Sequence, residues 1–323
     1  HKALTSVSSG AFNVAVGSRS LMSNTSGIQN TAIGDNAMSE NTTGKWNVAL
    51  GAGALKNNLS GFSSTAIGLS SLGANTTGVR NVAIGVNSLK MNTVGSANVA
   101  IGHSALRDMS GVNTVTSIAD NFSYSPSSEN TAVGNFSMMH NTEGSFNTAF
   151  GYSSLQYNTT GFNNTSIGIY TLFQNYGGVS NTALGSFALN GVQNGIDNVA
   201  VGSGSGQDLA NNSSNNTFLG SFAGGTSTNT INDATGITNS VALGYGAKVA
   251  TSNTIQLGNT GVTSVRTSGT VSATAFVGDG SGLTNVGGGA LFDTRNNMVI
   301  NGQSPSTPSL NLAPTDNSST TFN

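Results

Sequence analysis

A five-residue unit returns along this chain at a fixed interval, and that interval constrains the fold more than any other feature. The unit reads Asn, a β-branched residue, Ala, a large aliphatic, Gly, as at Asn30-Thr31-Ala32-Ile33-Gly34. Its closing glycines fall at Gly17, Gly34, Gly51, Gly68, Gly85 and Gly102, and after one gap at Gly134, Gly151, Gly168, Gly185 and Gly202, each 17 residues after the last. Looser copies close at Gly220, Gly244 and Gly258, spaced by 18, 24 and 14 residues. A period of this size marks a repeat architecture, in which each copy buries its apolar face only against its neighbours.

Aligned on one another, the copies show which residues share a face. Strand side chains alternate, so Val/Thr and Ile/Leu/Val lie on one side and Ala, Asn and Gly on the other. The larger residues, Ile33, Leu50, Ile67, Ile84 and Ile101, are expected to form the core. The Ala/Asn face, with Gly34, Gly51, Gly68, Gly85 and Gly102, is expected to admit the backbone of another chain. Four residues after each closing glycine stands Leu21, Met38, Leu55, Leu72, Leu89 or Leu106, read as a second short strand. Three further on come Asn24, Asn41, Asn58, Asn75 and Asn92, then a second glycine, as at Gly27 and Gly44. Asparagines in register, Asn41, Asn58, Asn75 and Asn92 among them, predict an amide ladder. Two glycines per unit, at about 1 kcal/mol each, exclude a helix and predict two turns at positive φ.

Two strands and two turns in 17 residues make one coil of a solenoid, with coils stacked in parallel at roughly 4.8 Å and a rod roughly 65 Å long. So small a coil encloses little core, and its exposed strip is expected to be covered by copies of the chain in a closed trimer. Composition fits a fibre better than a globule. Charged residues make up 7% of the chain, against about 25% in ordinary soluble domains. A net charge of -2 with scattered basic residues gives no footprint for nucleic acid. No apolar run is long enough for membrane insertion. With no cysteine, stability must come from packing and backbone hydrogen bonds. The start, His1-Lys2-Ala3, lacks signal-peptide features, which implies prior processing or export by another route.

Asn-Thr-Ala-Ile-Gly, Asn-Val-Ala-Ile-Gly and the Leu-x-x-Asn-Thr-Thr-Gly continuations resemble the head repeats of trimeric autotransporter adhesins and, more closely, the longer repeats of bacteriophage tail fibres, over about residues 10–258. Ala273-Thr274-Ala275-Phe276 followed by Gly-Asp-Gly-Ser-Gly-Leu-Thr-Asn is similar to a linking motif of such fibres. The resemblance implies an all-β, parallel β-roll (β-solenoid) of 17-residue coils in an intertwined homotrimeric fibre. It implies an extracellular structural and adhesive role, most directly a tail-fibre segment that spaces or presents host-receptor binding. A bacterial surface adhesin or self-polymerising filament is the alternative, and a polysaccharide-degrading tailspike a third. Expected partners are the chain itself, as a trimer and possibly end to end, and a cell-surface glycan or protein receptor.

The 32-residue gap between Gly102 and Gly134 is one unit plus 15 residues, read as an insertion at 112–126. Insertions in solenoids emerge as loops on one face. Asn113, Asp120, Phe122 and Tyr124 are therefore the candidate receptor contacts, the two aromatic residues suiting a sugar. No catalytic, cofactor or metal site is expected. His103 and His140 fall at positions that vary between copies, His1 is terminal, and no paired ligands accompany them. The 12 carboxylates are scattered without a glycosidase-like pair. Asp279-Gly280-Ser281-Gly282 lacks the remaining ligands of a calcium loop. Sequons at Asn41, Asn75 and Asn158 arise from the repeat itself. Threonine pairs such as Thr42-Thr43 point to opposite faces and form no ice-binding rank.

The expected organisation is thus a repeat domain at 1–258, a β linker at 259–289 with the Gly287-Gly288-Gly289 joint, and a C-terminal segment at 290–323. That segment, with a short strand near Met298-Val299-Ile300, is expected to pair with other chains or begin a tip.

Overall fold

A computed structural model describes residues 3–110, 128–225, 236–269, 272, 291–292 and 298–299. Fourteen three-residue strands, from Val14–Val16 to Ile255–Leu257, form one parallel sheet in chain order, so the protein is a β-solenoid. Among the described residues there is no α-helix. The repeat extends as a compact unit to Val265; residues 266–323 form a second unit, where Leu291–Phe292 pairs antiparallel with Met298–Val299.

Register follows the five-residue motif throughout. Val14, Ala15 and Val16 pair with Thr31, Ala32 and Ile33. The same positions pair across the 32-residue gap, Val99 with Thr131 and Ile101 with Val133. They also pair where the spacing becomes 18, 24 and 14, as Val199 with Thr217, Thr217 with Val241 and Val241 with Ile255. Added and missing residues therefore lie outside the strands, because a slip of one would turn every side chain to the wrong face.

The alternation is as expected, but its two faces are exchanged. Ala32, Ala49, Ala66, Ala83 and Ala100 are fully buried, as are Asn30, Asn47, Asn81 and Asn98. Ile33, Leu50 and Ile101, expected in the core, are 37%, 44% and 37% exposed, and Ile67 and Ile84 are half-buried. The cause is the thinness of the coil. Its interior already holds Leu21, Met38, Leu55, Leu72, Leu89 and Leu106 from the opposite segment, so only alanine and asparagine fit on the strand side.

Those leucines do not sit in a second strand. Their segment is a run of turns, and among the described residues of the repeat a second strand pair occurs only near the end, Gly224–Gly225 with Lys248–Val249. Leu21, Met38, Leu55, Leu72, Leu89 and Leu106 adopt left-handed φ of 46° to 51°, at about 1–2 kcal/mol each. Burying each side chain returns about 1.5–3 kcal/mol, so packing outweighs strain. Two further positions per coil are left-handed, for example Ser70 (φ 56°) and Ser63 (φ 56°).

The two glycines have different reasons. The closing glycine bends the chain after each strand at a φ of 130° in Gly68 and 131° in Gly85, and a Cβ on Gly85 would lie 2.5 Å from the Gly102 carbonyl oxygen. The second glycine is not at positive φ. It is small because a Cβ on Gly61 would overlap the side chain of Asn58 and the carbonyl of Gly78.

The amide ladder forms, within one chain. Nδ2 of Asn41, Asn58, Asn75 and Asn92 donates to Oδ1 of the asparagine 17 residues earlier, at 2.8, 2.8, 2.8 and 3.1 Å. Each also donates to the second glycine, as Asn58 does to the Gly61 carbonyl at 3.0 Å. A second ladder uses the motif's own asparagine. The Asn47 backbone N–H (3.0 Å) and Nδ2 (3.2 Å) both donate to Asn30 Oδ1, and Nδ2 donates also to the Gly61 carbonyl at 2.8 Å. Ser64 replaces one rung, its N–H donating to Asn47 Oδ1 and its Oγ accepting from Asn81 N–H. These bonds explain how a core rich in buried amides remains stable.

Candidate functional site

Two surfaces stand out on the described coils. The first is the outer face of the sheet. The residue before each closing glycine points outward and is apolar on every strand from Val16 to Leu257, exposed or half-buried, and beside this apolar strip runs a column of Val, Thr and Ile two positions earlier. At about 4.8 Å per strand this strip is about 60 Å long, beyond the scattered apolar residues normal on a monomer's surface.

The second is a run of aromatic rings on the segment that follows the strand, around the bend at the closing glycine. Four of the six tyrosines lie between Tyr152 and Tyr176, whereas residues 63–121 contain no Phe, Tyr or Trp. His103 meets Phe136 edge-on, ring centroids 5.3 Å apart, and Phe136 meets Tyr152 at 5.8 Å. Tyr152 meets Tyr170 at 5.4 Å, and Tyr170 stacks on Phe187 at 5.5 Å. A second column joins at Tyr170 through Phe173 (5.2 Å), then Tyr157 (4.9 Å) and His140, stacked on Tyr157 at 4.9 Å. His103, Tyr152 and Phe187 are exposed and the others half-buried. Hydrogen bonding to Tyr152 is the main cause that raises the Tyr170 phenol above its ordinary value.

The second column ends in an ion-pair cluster. His140 Nδ1 lies 2.9 Å from Asp108 Oδ2, and Arg107 Nε and Nη2 donate to the Asp108 oxygens at 2.6 and 2.8 Å. Burial alone would push the Asp108 carboxyl up, but Arg107 and then His140 outweigh it and hold it below the usual carboxylate range.

The expected receptor contacts Asn113, Asp120, Phe122 and Tyr124 lie outside the described residues. The described chain stops at Ser110, two residues after Asp108, and resumes at Ser128. The structure does not bring His103 and His140 together as ligands: each packs against a different ring. Among the described residues no three His, Cys, Asp or Glu side chains form a metal-binding group, and no helix is long and apolar enough to cross a membrane. The asparagines of the expected ladder serve the core, not a surface. The aromatic run was missed by the motif analysis, which followed invariant positions; its signal was the clustering of tyrosines at the variable positions. No protein-family model and no curated protein matches the chain.

Proposed function

We propose that this chain is a segment of an extracellular structural and adhesive fibre, most simply a tail-fibre segment, in which three copies lie side by side and space or present a receptor-binding surface. The observation that carries the reading is the outward Val/Thr and Ile/Leu strip along all fourteen strands. At about 25 cal/mol per Å², covering such a strip stabilises an assembly, and its length along the axis favours parallel or antiparallel partners of the same length over a small globular one. Three copies around one axis close the surface completely, in keeping with the resemblance of the repeat. The contacts fall on Leu50, Ile84 and their equivalents, not on the alanine and asparagine face, which the coil itself consumes. The rigid hydrogen-bonded ladder suits a spacer, and nothing in the proposal calls for catalysis or a cofactor.

The test is the mass of the purified protein in solution together with electron micrographs of the same sample. Rods about 60 Å or more in length with three chain masses support the reading. Open-ended filaments favour a self-polymerising appendage, and a compact monomer overturns the trimer.

A further inference from the structure

The aromatic run of His103, Phe136, Tyr152, Tyr170 and Phe187 is not required for coils of this kind to stack. The coils between Gly51 and Gly102 stack in the same register and carry no aromatic residue on this segment. Apart from His103, which precedes the insertion, the rings stand on coils that follow it, one per coil, with neighbouring centroids 5.3 to 5.8 Å apart.

We propose that this run is a binding site for an extended, uncharged glycan lying along the solenoid axis, its sugars contacting the exposed rings of Tyr152 and Phe187 and the half-buried Tyr170 between them. The proposal deepens the receptor-presenting reading and rests on it for its biological purpose, though not for its geometry. Three features choose the ligand. One ring stands on each successive coil, so an extended chain of sugars running along the axis meets a ring at every coil. The tyrosines combine an apolar ring with a polar tip, as a sugar combines C–H faces with hydroxyl edges. Gln174 stands at the same coil position as Tyr157, and Gln156 at that of Phe173, placing amide donors and acceptors alongside the rings.

Charge argues against the other classes. Arg107 is paired with Asp108 through Nε and Nη2, so the run offers no unpaired Arg or Lys to a phosphate backbone or an anionic surface.

The test is isothermal titration calorimetry of the whole chain with β-1,4-linked hexamers of glucose and of N-acetylglucosamine, and with the α-1,4-linked glucose hexamer, which coils. The expected result is binding of at least one β-linked hexamer in preference to the α-linked one. The Tyr152→Ala/Phe187→Ala variant should weaken it at least about tenfold, with Trp46→Ala unchanged. Tyr152→Leu/Phe187→Leu keeps apolar bulk without the rings and replaces the alanine pair if that variant fails to fold. No binding of either β-linked hexamer at millimolar concentration, equal binding of the α-linked one, or full binding by the ring-less variant overturns the proposal. Rods of three chain masses that bind no hexamer would sink this site and leave the fibre reading standing.

Discussion

Asn92 Oδ1 is buried without a hydrogen-bond partner, and the residue 17 positions on, where another asparagine would donate to it, is Met109. The same happens at Asn175, which faces Val192. The ladder is thus two segments, and each orphaned oxygen marks a break.

A mid-ladder change should cost more than repairing the break gains. Asn58→Ala orphans the buried Asn41 Oδ1 and removes a donor from the Gly61 carbonyl, at about 1–3 kcal/mol per orphaned group. Met109→Asn would satisfy Asn92 and accept from Asn141, leaving no new orphan, but it gives up about 1.5–3 kcal/mol of methionine burial. Denaturant midpoints should place Asn58→Ala well below the parent and Met109→Asn within about 1 kcal/mol of it.

The left-handed positions make a contrast between core and surface. Leu72→Ala keeps the strained backbone and opens a cavity, at about 2–5 kcal/mol. At exposed Ser63 (φ 56°), Gly relieves strain of about 1–2 kcal/mol against about 0.5–1 kcal/mol of extra unfolded-state entropy. Melting of Ser63→Gly should match or exceed the parent, and Ser63→Val, β-branched at positive φ, should fall below both.

Those positions also show what the sequence carried and what it did not. The period, the parallel stacking and the register came directly from the glycine spacing. Among the described residues, none of the left-handed ones outside glycine is Val, Ile or Thr, so the strain was visible as an absence that strand propensity alone does not reveal. The inside of the sheet was read wrongly because alternation tells which residues share a face, not which face is enclosed. Ala49 and Leu50 are neighbours, and only the volume already occupied by Leu55 and its equivalents decides that Ala49 goes in. The aromatic run escaped for a related reason: surface function lies at the positions the repeat leaves free.

Asp108 should make stability depend on pH in a definite window. Its folded value is lowered below the ordinary 3.8, so its contribution is present above the unfolded value and is lost as pH falls through the lowered one. With Arg107 partly exposed, the contribution is at most about 1 kcal/mol. Melting of the parent and Asp108→Asn should differ at pH 6 and converge as the pH falls through that lowered value. A difference that persists in acid would show that the effect of the substitution is not ionic.

The insertion should be dispensable for folding. A regular coil has Val94 and Gly95 between the equivalents of Ser110 and Ser128, and the strands on either side already pair in register. Replacing 111–127 by Val-Gly should leave the melting temperature within a few degrees of the parent. A collapse of stability would mean that the segment is part of the core.

Charge on the outer strip should separate chains without unfolding them. Leu50 and Leu184 are 44% and 45% exposed, so Leu50→Lys/Leu184→Lys places ammonium groups in solvent while the chain is alone. In the assembly the same groups would be buried unpaired beside their symmetry copies, at several kcal/mol for each desolvated charge. Sedimentation should show the mass falling from three chains to one, with circular dichroism and melting of the separated chain still cooperative. Ala49→Lys, one residue away but fully buried, should instead prevent folding, because no space exists inside the coil. If the double lysine variant keeps three chain masses, the copies meet elsewhere, and the sheet face is free surface.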